Sequence, residues 1–124
     1  MSSQSNLDQF IGASFGSVWA LELLLLLAGD EARLWREAEL VTALRASDLI
    51  IHRAVSELTA AGLVLVEGDG GVRYGPASTN LRDLFEQTRL LYASAPDKVR
   101  RMIVRSRAGG GLAAFADAFR IRKD

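Results

Sequence analysis

The chain contains no cysteine and a single histidine. Without cysteine it can form neither a disulfide framework nor a thiolate metal site, and one histidine leaves no histidine cluster for zinc. We therefore expect no metal ion and no other cofactor, and the reducing cytoplasm is the natural compartment. Aromatic residues make up only 7% of the chain. This composition favours a mainly helical core built from Leu, Ala and Val.

The chain also lacks net charge, because 15 Lys and Arg residues balance 15 Asp and Glu residues. This balance argues against a protein that binds along DNA regardless of the DNA sequence. The distribution is nevertheless uneven. Residues 1–96 carry seven basic and twelve acidic residues, a net charge of −5, whereas residues 97–124 carry eight and three, a net charge of +5. Any charge that faces phosphate is therefore concentrated late in the chain.

A membrane span must be weighed near the N-terminus, because the 19 residues from 10 to 28 contain Glu22 as their only charge. No Lys or Arg precedes this run, and glycine and serine interrupt its first half. The remaining apolar stretch, residues 18–28, is too short to cross a bilayer. We interpret it as a central buried helix that Ser17 caps and Gly29 ends, and we expect no membrane partner.

At 124 residues the chain fits one domain, residues 1–124. A helix is predicted from Glu37 to Arg45, and a second helix begins at the cap Ser47 and ends at Gly62. The inward face of the second helix repeats at helical spacing and contains Ile51, Val55 and Leu58. Two β-prone runs, residues 63–66 and 72–75, flank a Gly/Asp turn and predict a β-hairpin.

Further helices are predicted on both sides of this unit. A short helix begins near Leu7, and an amphipathic helix covers residues 79–93. Another helix begins at Pro96. Residues 112–120 form the last predicted helix, which is too short to be stable by itself in water. The only strongly basic cluster follows Pro96, and it is either a solvated face or a nucleic-acid contact; it contains Lys98, Arg100, Arg101, Arg105 and Arg107.

The stretch AELVTALRASDLIIHRAVSELTAAGLVLVEGDGGVRYGP, residues 38–76, has the order helix, turn, helix and Gly-rich hairpin. Its matching features are the leucines of the first helix, Ser47 at the turn, the apolar seam of the second helix and the closing Gly62–Leu63–Val64. It resembles the winged helix-turn-helix transcriptional regulators of bacteria, the MarR-like and related groups. The resemblance implies a winged-helix core over residues 17–76 with additional N- and C-terminal helices, and a dimerisation or docking extension over residues 78–124.

The resemblance further implies a homodimeric DNA-binding regulator and no enzyme. The helix from Asp48 to Ala61 would enter the major groove of double-stranded DNA, while the hairpin, or wing, would touch phosphate or the minor groove. Helices 79–93 and 112–120 would pair with a second copy of the chain. Arg53 is able to read guanine through a bidentate fork. Mapped by position, the candidate DNA-binding residues are Arg45, Ser47, Leu49, His52, Arg53, Ser56 and Arg73.

A second hypothesis is a winged-helix adaptor that holds another protein and does not bind DNA. After Asp48, the apolar start of the second helix, Leu49 and Ile50, would contact that protein. The wing tip carries Glu67 and Asp69, which repel phosphate at close range, and the zero net charge also favours this hypothesis. Four single residues also have ordinary structural interpretations. His52 is then a solvated surface residue, Arg53 pairs with Glu57 one turn later, and Trp19 and Trp35 belong to the core.

Overall fold

The computed structural model describes residues 2–106, which form a mainly helical structure with six helices and one two-stranded antiparallel sheet. The predicted helix over residues 112–120 and Arg107 lie outside the described residues. In chain order the elements are α1 (Ser2–Ser14), α2 (Val18–Ala28), α3 (Glu37–Leu44), α4 (Asp48–Ala60), β1 (Val64–Val66), β2 (Val72–Tyr74), α5 (Thr79–Ser94) and α6 (residues 96–106).

Helix α2 forms the centre of the core, as its apolar sequence predicts. The Ser17 hydroxyl accepts a hydrogen bond from the N–H of Ala20 at 3.3 Å, and Gly29 occupies the C-cap. Helix α2 packs against α3, α4 and β2. Its buried side chains are Ala20, Leu21, Leu23, Leu24 and Leu27. An almost continuously apolar helix is stable here because neighbouring elements cover most of its circumference.

No helix among the described residues is long and apolar enough to cross a bilayer by itself. The stretches Asn6–Ser14 and Val18–Ala28 have the length and composition of a membrane span only when they are counted together. The chain bends by 100° between them.

Helix α1 begins at Ser2 and continues through Gly12 to Ser14, so the predicted start near Leu7 is wrong. The glycine is tolerated because α6 crosses α1 at this point. The Ser106 hydroxyl donates a hydrogen bond to the Gly12 carbonyl oxygen at 3.4 Å. A Cβ atom at Gly12 would lie 2.6 Å from that hydroxyl oxygen. The small residue that weakens the helix therefore permits the close crossing.

Helices α3 and α4 follow the predicted pattern. The Ser47 hydroxyl accepts a hydrogen bond from the N–H of Ile50 at 3.1 Å and caps α4. The predicted inward residues Ile51, Val55 and Leu58 are all buried, and α4 packs against α2. Gly62 follows the helix with a φ angle of +77°, a left-handed conformation that favours glycine.

The hairpin is also present, and it has an additional partner that the sequence did not reveal. Strand β1 pairs with β2 so that Leu65 lies opposite Arg73. On the other side of β2, Trp35 and Val72 exchange two backbone hydrogen bonds of 2.8 Å. Trp35 is buried, as predicted, but Trp19 is 36% exposed, so its assignment to the core is wrong.

Helix α5 is tied to α2 and α6 through Tyr92. The Tyr92 hydroxyl donates a hydrogen bond to the Glu22 carboxylate, the single charge of α2. The Arg100 guanidinium of α6 lies 5.4 Å from the centroid of the Tyr92 ring. Tyr92 is therefore the residue at which α2, α5 and α6 meet.

We expect neither tyrosine of the chain to titrate normally in the folded state. Burial raises the pKa of Tyr74, and burial together with the hydrogen bond to Glu22 raises that of Tyr92, above the ordinary value of 10.0. A raised folded pKa adds stability that is present below pH 10 and lost as the pH rises through the folded pKa.

Tyrosinate absorbance measured against pH should show less than half ionisation at pH 10 in the folded protein and about half in denaturant. The Tyr92→Phe variant isolates Tyr74. Identical curves for folded and denatured protein would contradict the burial of both rings.

Candidate nucleic-acid interface

The outward face of α4 consists of exposed side chains: Leu49, His52, Arg53 and Ser56. They project away from the core because Ile51, Val55 and Leu58 fill the inward face. Leu49, at the N-terminal end of α4, is 59% exposed. The structure thus brings four of the seven predicted DNA-binding residues onto one helix surface.

Arg53 is the unpaired cation of this surface. Among the described residues no ion pair includes it. The suggested surface pair with Glu57 is wrong, because the Glu57 carboxylate lies against the backbone at Gly16, where a Cβ atom would collide with it. The Arg53 guanidinium is therefore available to an external hydrogen-bond acceptor.

His52 and Ser47 are already engaged within the protein. Nδ1 of His52 lies 3.4 Å from Oε1 of Glu37 at the start of α3. The Ser47 hydroxyl oxygen accepts from the N–H of Ile50. Its hydroxyl hydrogen has no part in that bond and can still be donated to a phosphate oxygen.

Arg45 lies in the turn between α3 and α4 and has a φ angle of +56°, the left-handed region. It is the only non-glycine residue with positive φ in the described range. An L-residue costs about 1–2 kcal/mol in this conformation, and glycine is the usual occupant. The exposed arginine is therefore held at a strained position beside the N-terminus of α4.

Replacing Arg45 by glycine should raise the free energy of unfolding by about 0.5–1 kcal/mol, because it relieves the left-handed strain. Arg45→Ala keeps the strain and should give no such gain. Chemical denaturation of the two variants measures the difference. Equal stabilities would show that position 45 carries no backbone strain.

The wing contains two acidic residues, and both are paired with arginine. Arg73 Nε donates to Glu67 Oε2 at 2.9 Å. Arg36 donates to the Asp69 carbonyl oxygen at 2.7 Å and to Asp69 Oδ2 at 3.1 Å. Asp69 Oδ1 also accepts a hydrogen bond from the Gly71 N–H. This bond and the nearby Arg36 guanidinium lower the pKa of Asp69 below its usual range. The repulsion of phosphate expected from the wing tip is thereby offset.

Arg36 is the site residue that sequence reasoning missed. It occupies the N-cap of α3, but its side chain does not hydrogen-bond to the helix backbone. Its backbone N–H donates a hydrogen bond to Glu39 Oε1 at 2.8 Å. Its side chain reaches the wing and braces it against α3. The available signal was an arginine at a position where a small polar cap is common, combined with an acidic wing that needs a counter-charge.

A second group of cations lies on α6. Lys98, Arg101 and Arg105 are exposed and pair with no described acidic residue. Arg100 instead pairs with Asp97 at 3.2 Å. Among the described residues, the exposed cations without an ion-pair partner thus lie in two regions, the turn and outward face of the α3–α4 unit and the surface of α6.

Comparison of the chain with protein-family models, with curated proteins and with solved structures finds no match.

Proposed function

We propose that the protein is a DNA-binding transcriptional regulator of the winged helix-turn-helix type that acts as a homodimer. The supporting observation is Arg53, which is exposed on the outward face of α4 and pairs with no acidic residue in the part of the chain that the structure describes. The buried inward face of the same helix holds that arginine outward. In this proposal the protein is not an enzyme and works in the cytoplasm, in contact with chromosomal DNA.

Helix α4 is the element that would enter the major groove. Its outward side chains then meet base edges, and the Arg53 guanidinium makes two parallel hydrogen bonds to O6 and N7 of a guanine. Arg45 and Ser47 precede α4 and contact phosphate. The paired wing approaches the backbone without net repulsion, since Arg36 and Arg73 compensate its two acids.

A second copy of the chain is the expected partner. One copy presents few unpaired cations beside α4, and phosphate contacts dominate the affinity for DNA. Two copies double these contacts and place two recognition helices about 34 Å apart along the duplex. Helix α5 follows the hairpin and carries Leu90, which is 68% exposed. An exposed leucine on a long amphipathic helix suits a self-complementary interface.

The wild-type protein should sediment as a dimer at micromolar concentration. Leu90→Ser should weaken association, because the substitution removes an apolar side chain from the proposed interface. Leu49→Ser, which alters another exposed leucine, on α4, should leave the sedimentation mass unchanged. A monomeric wild type, or equal weakening by both variants, would contradict the assignment of α5.

Selection of bound sequences from a random duplex pool tests the proposed function. We expect enrichment of two related half-sites, with binding that weakens steeply as salt concentration rises. A pool that shows no enrichment after repeated rounds would rule out sequence-specific recognition.

The alternative function, a protein-binding adaptor of the same architecture, has one specific observation in its favour. Leu49 is 59% exposed at the N-terminal end of α4 and Leu34 is 47% exposed, while the wing arginines are occupied by wing acids. An adaptor would enrich no DNA sequence and would not be retained on immobilised nonspecific DNA at low salt.

A further inference from the structure

A cleft of about 500 Å³ opens between α1 and α5. Ala61, the C-cap residue of α4, lies at one side of it. Its volume is within the range of small-molecule sites, about 300–1,000 Å³. Residues of three elements therefore enclose a space large enough for a small organic molecule.

None of the described residues that line this cleft carries a charged side chain. Its apolar part is formed mainly by Phe10, Leu81 and Leu84, and its polar rim by the amides of Asn6, Gln9 and Asn80. A charged ligand would lose hydration here without gaining an ion pair. The lining thus favours a neutral molecule with an apolar body.

Ser14 provides a hydrogen-bonding group inside the cleft. The residue is only 6% exposed, and no hydrogen bond joins its hydroxyl to another described residue. The described buried polar atoms that lack both a partner and solvent contact are Trp35 Nε1 and Tyr74 Oη. The Ser14 hydroxyl is not among them, so it keeps contact with the cleft and is available to a ligand.

We propose that the cleft binds a neutral, largely apolar small molecule whose hydrogen-bonding group reaches the Ser14 hydroxyl. A ligand in this position would touch α1, α5 and the C-terminal end of α4 together. The α4 end is closely packed against α5, since a Cβ atom at Gly62 would lie 3.3 Å from the Leu81 side chain. This proposal concerns ligand binding alone and does not depend on DNA binding.

The neutral dye N-phenylnaphthylamine and its sulfonated analogue, anilinonaphthalene sulfonate, form a matched pair of probes that differ in one charge. Fluorescence titration of the full chain should give saturable binding of the neutral dye with one site per chain. The sulfonated dye should bind about tenfold more weakly or worse, because the described lining residues provide no cation to pair with the sulfonate. Absence of saturable neutral-dye binding, or equal affinity for both dyes, overturns the proposal.

Three variants locate the site. Ala13→Trp fills the cleft from α1 and should abolish saturable binding, whereas Ala93→Trp, an exposed alanine of α5 outside the lining, should leave it unchanged. Ser14→Ala should weaken the neutral dye about two- to tenfold, the effect of one neutral hydrogen bond. If Ala13→Trp binds the dye as well as the wild type, the dye binds elsewhere and the proposed site is wrong. If Ser14→Ala binds the neutral dye with unchanged affinity, the Ser14 hydroxyl does not contact the ligand. Circular dichroism checks that each variant is folded.

Discussion

Leu58→Ala is expected to lower the free energy of unfolding by about 2–5 kcal/mol, the range for a buried leucine. Leu58 has no exposed surface and lies on the inward face of α4, which packs against α2. Truncation removes buried apolar surface and leaves a cavity between two helices that are fixed by their other contacts. The central leucines of α2 cannot close this space without losing their own contacts.

Leu49→Ala is the matched control for this prediction. It makes the same substitution in the same helix, but Leu49 is 59% exposed. Its effect on stability should stay within about 0.5 kcal/mol. Urea denaturation followed by circular dichroism measures both variants. A loss below about 1 kcal/mol for Leu58→Ala would show that the inward face of α4 is misassigned.

Arg53→Ala is expected to cost about 1–3 kcal/mol of binding free energy per half-site on the selected DNA sequence. The side chain is exposed and unpaired among the described residues, so its removal should leave the fold and the oligomeric state intact. The loss should be confined to sequences that carry the contacted guanine. Titration at two salt concentrations should give the same salt dependence as the wild type.

Arg73→Ala provides the contrasting result. Loss of the Arg73 side chain leaves Glu67 of the wing without its ion-pair partner. Binding to all sequences should weaken alike, since the wing then carries uncompensated negative charge close to phosphate. Arg89→Ala is the control and should leave DNA binding unchanged, because Arg89 lies on α5 rather than on the wing and pairs with Glu86.

The outcome for Arg53 separates the two candidate functions. If wild-type protein selects a sequence and Arg53→Ala binds it unchanged, the base-reading role is wrong. If wild-type protein selects no sequence at all, the adaptor hypothesis should replace the regulator. Leu49 would then be the first residue to substitute in a search for the protein partner.

The order and type of the elements could be predicted from local sequence. Ser17 and Ser47 are found at helix N-caps, as their positions before apolar helical runs predict. The inward seam of α4 is buried as predicted, because a helical repeat of 3.6 residues places its apolar side chains on one face whatever they pack against. The outward position of Arg53 follows from the same periodicity.

Contacts between distant segments had no such local signal. Trp35 bonds to Val72 through backbone groups, which are the same in every non-proline residue and leave no trace in the sequence. Gly12 lies within α1, and only its contact with Ser106, 94 residues later, shows why a small residue is needed there. Trp19 was assigned to the core on residue type alone, and its exposure depends on which elements happen to cover α2.

The sequence by itself therefore determined the helices, the hairpin and the outward face of α4, since caps and periodicity act within a few residues. Only the tertiary structure decided the electrostatics of the wing and the existence of the cleft. Arg36 and Asp69 are 33 residues apart, and they meet because the hairpin folds back against the start of α3. The cleft exists because α1 and α5 pack side by side at the end of α4. Both features depend on how separate elements are placed in space, which local residue patterns do not encode.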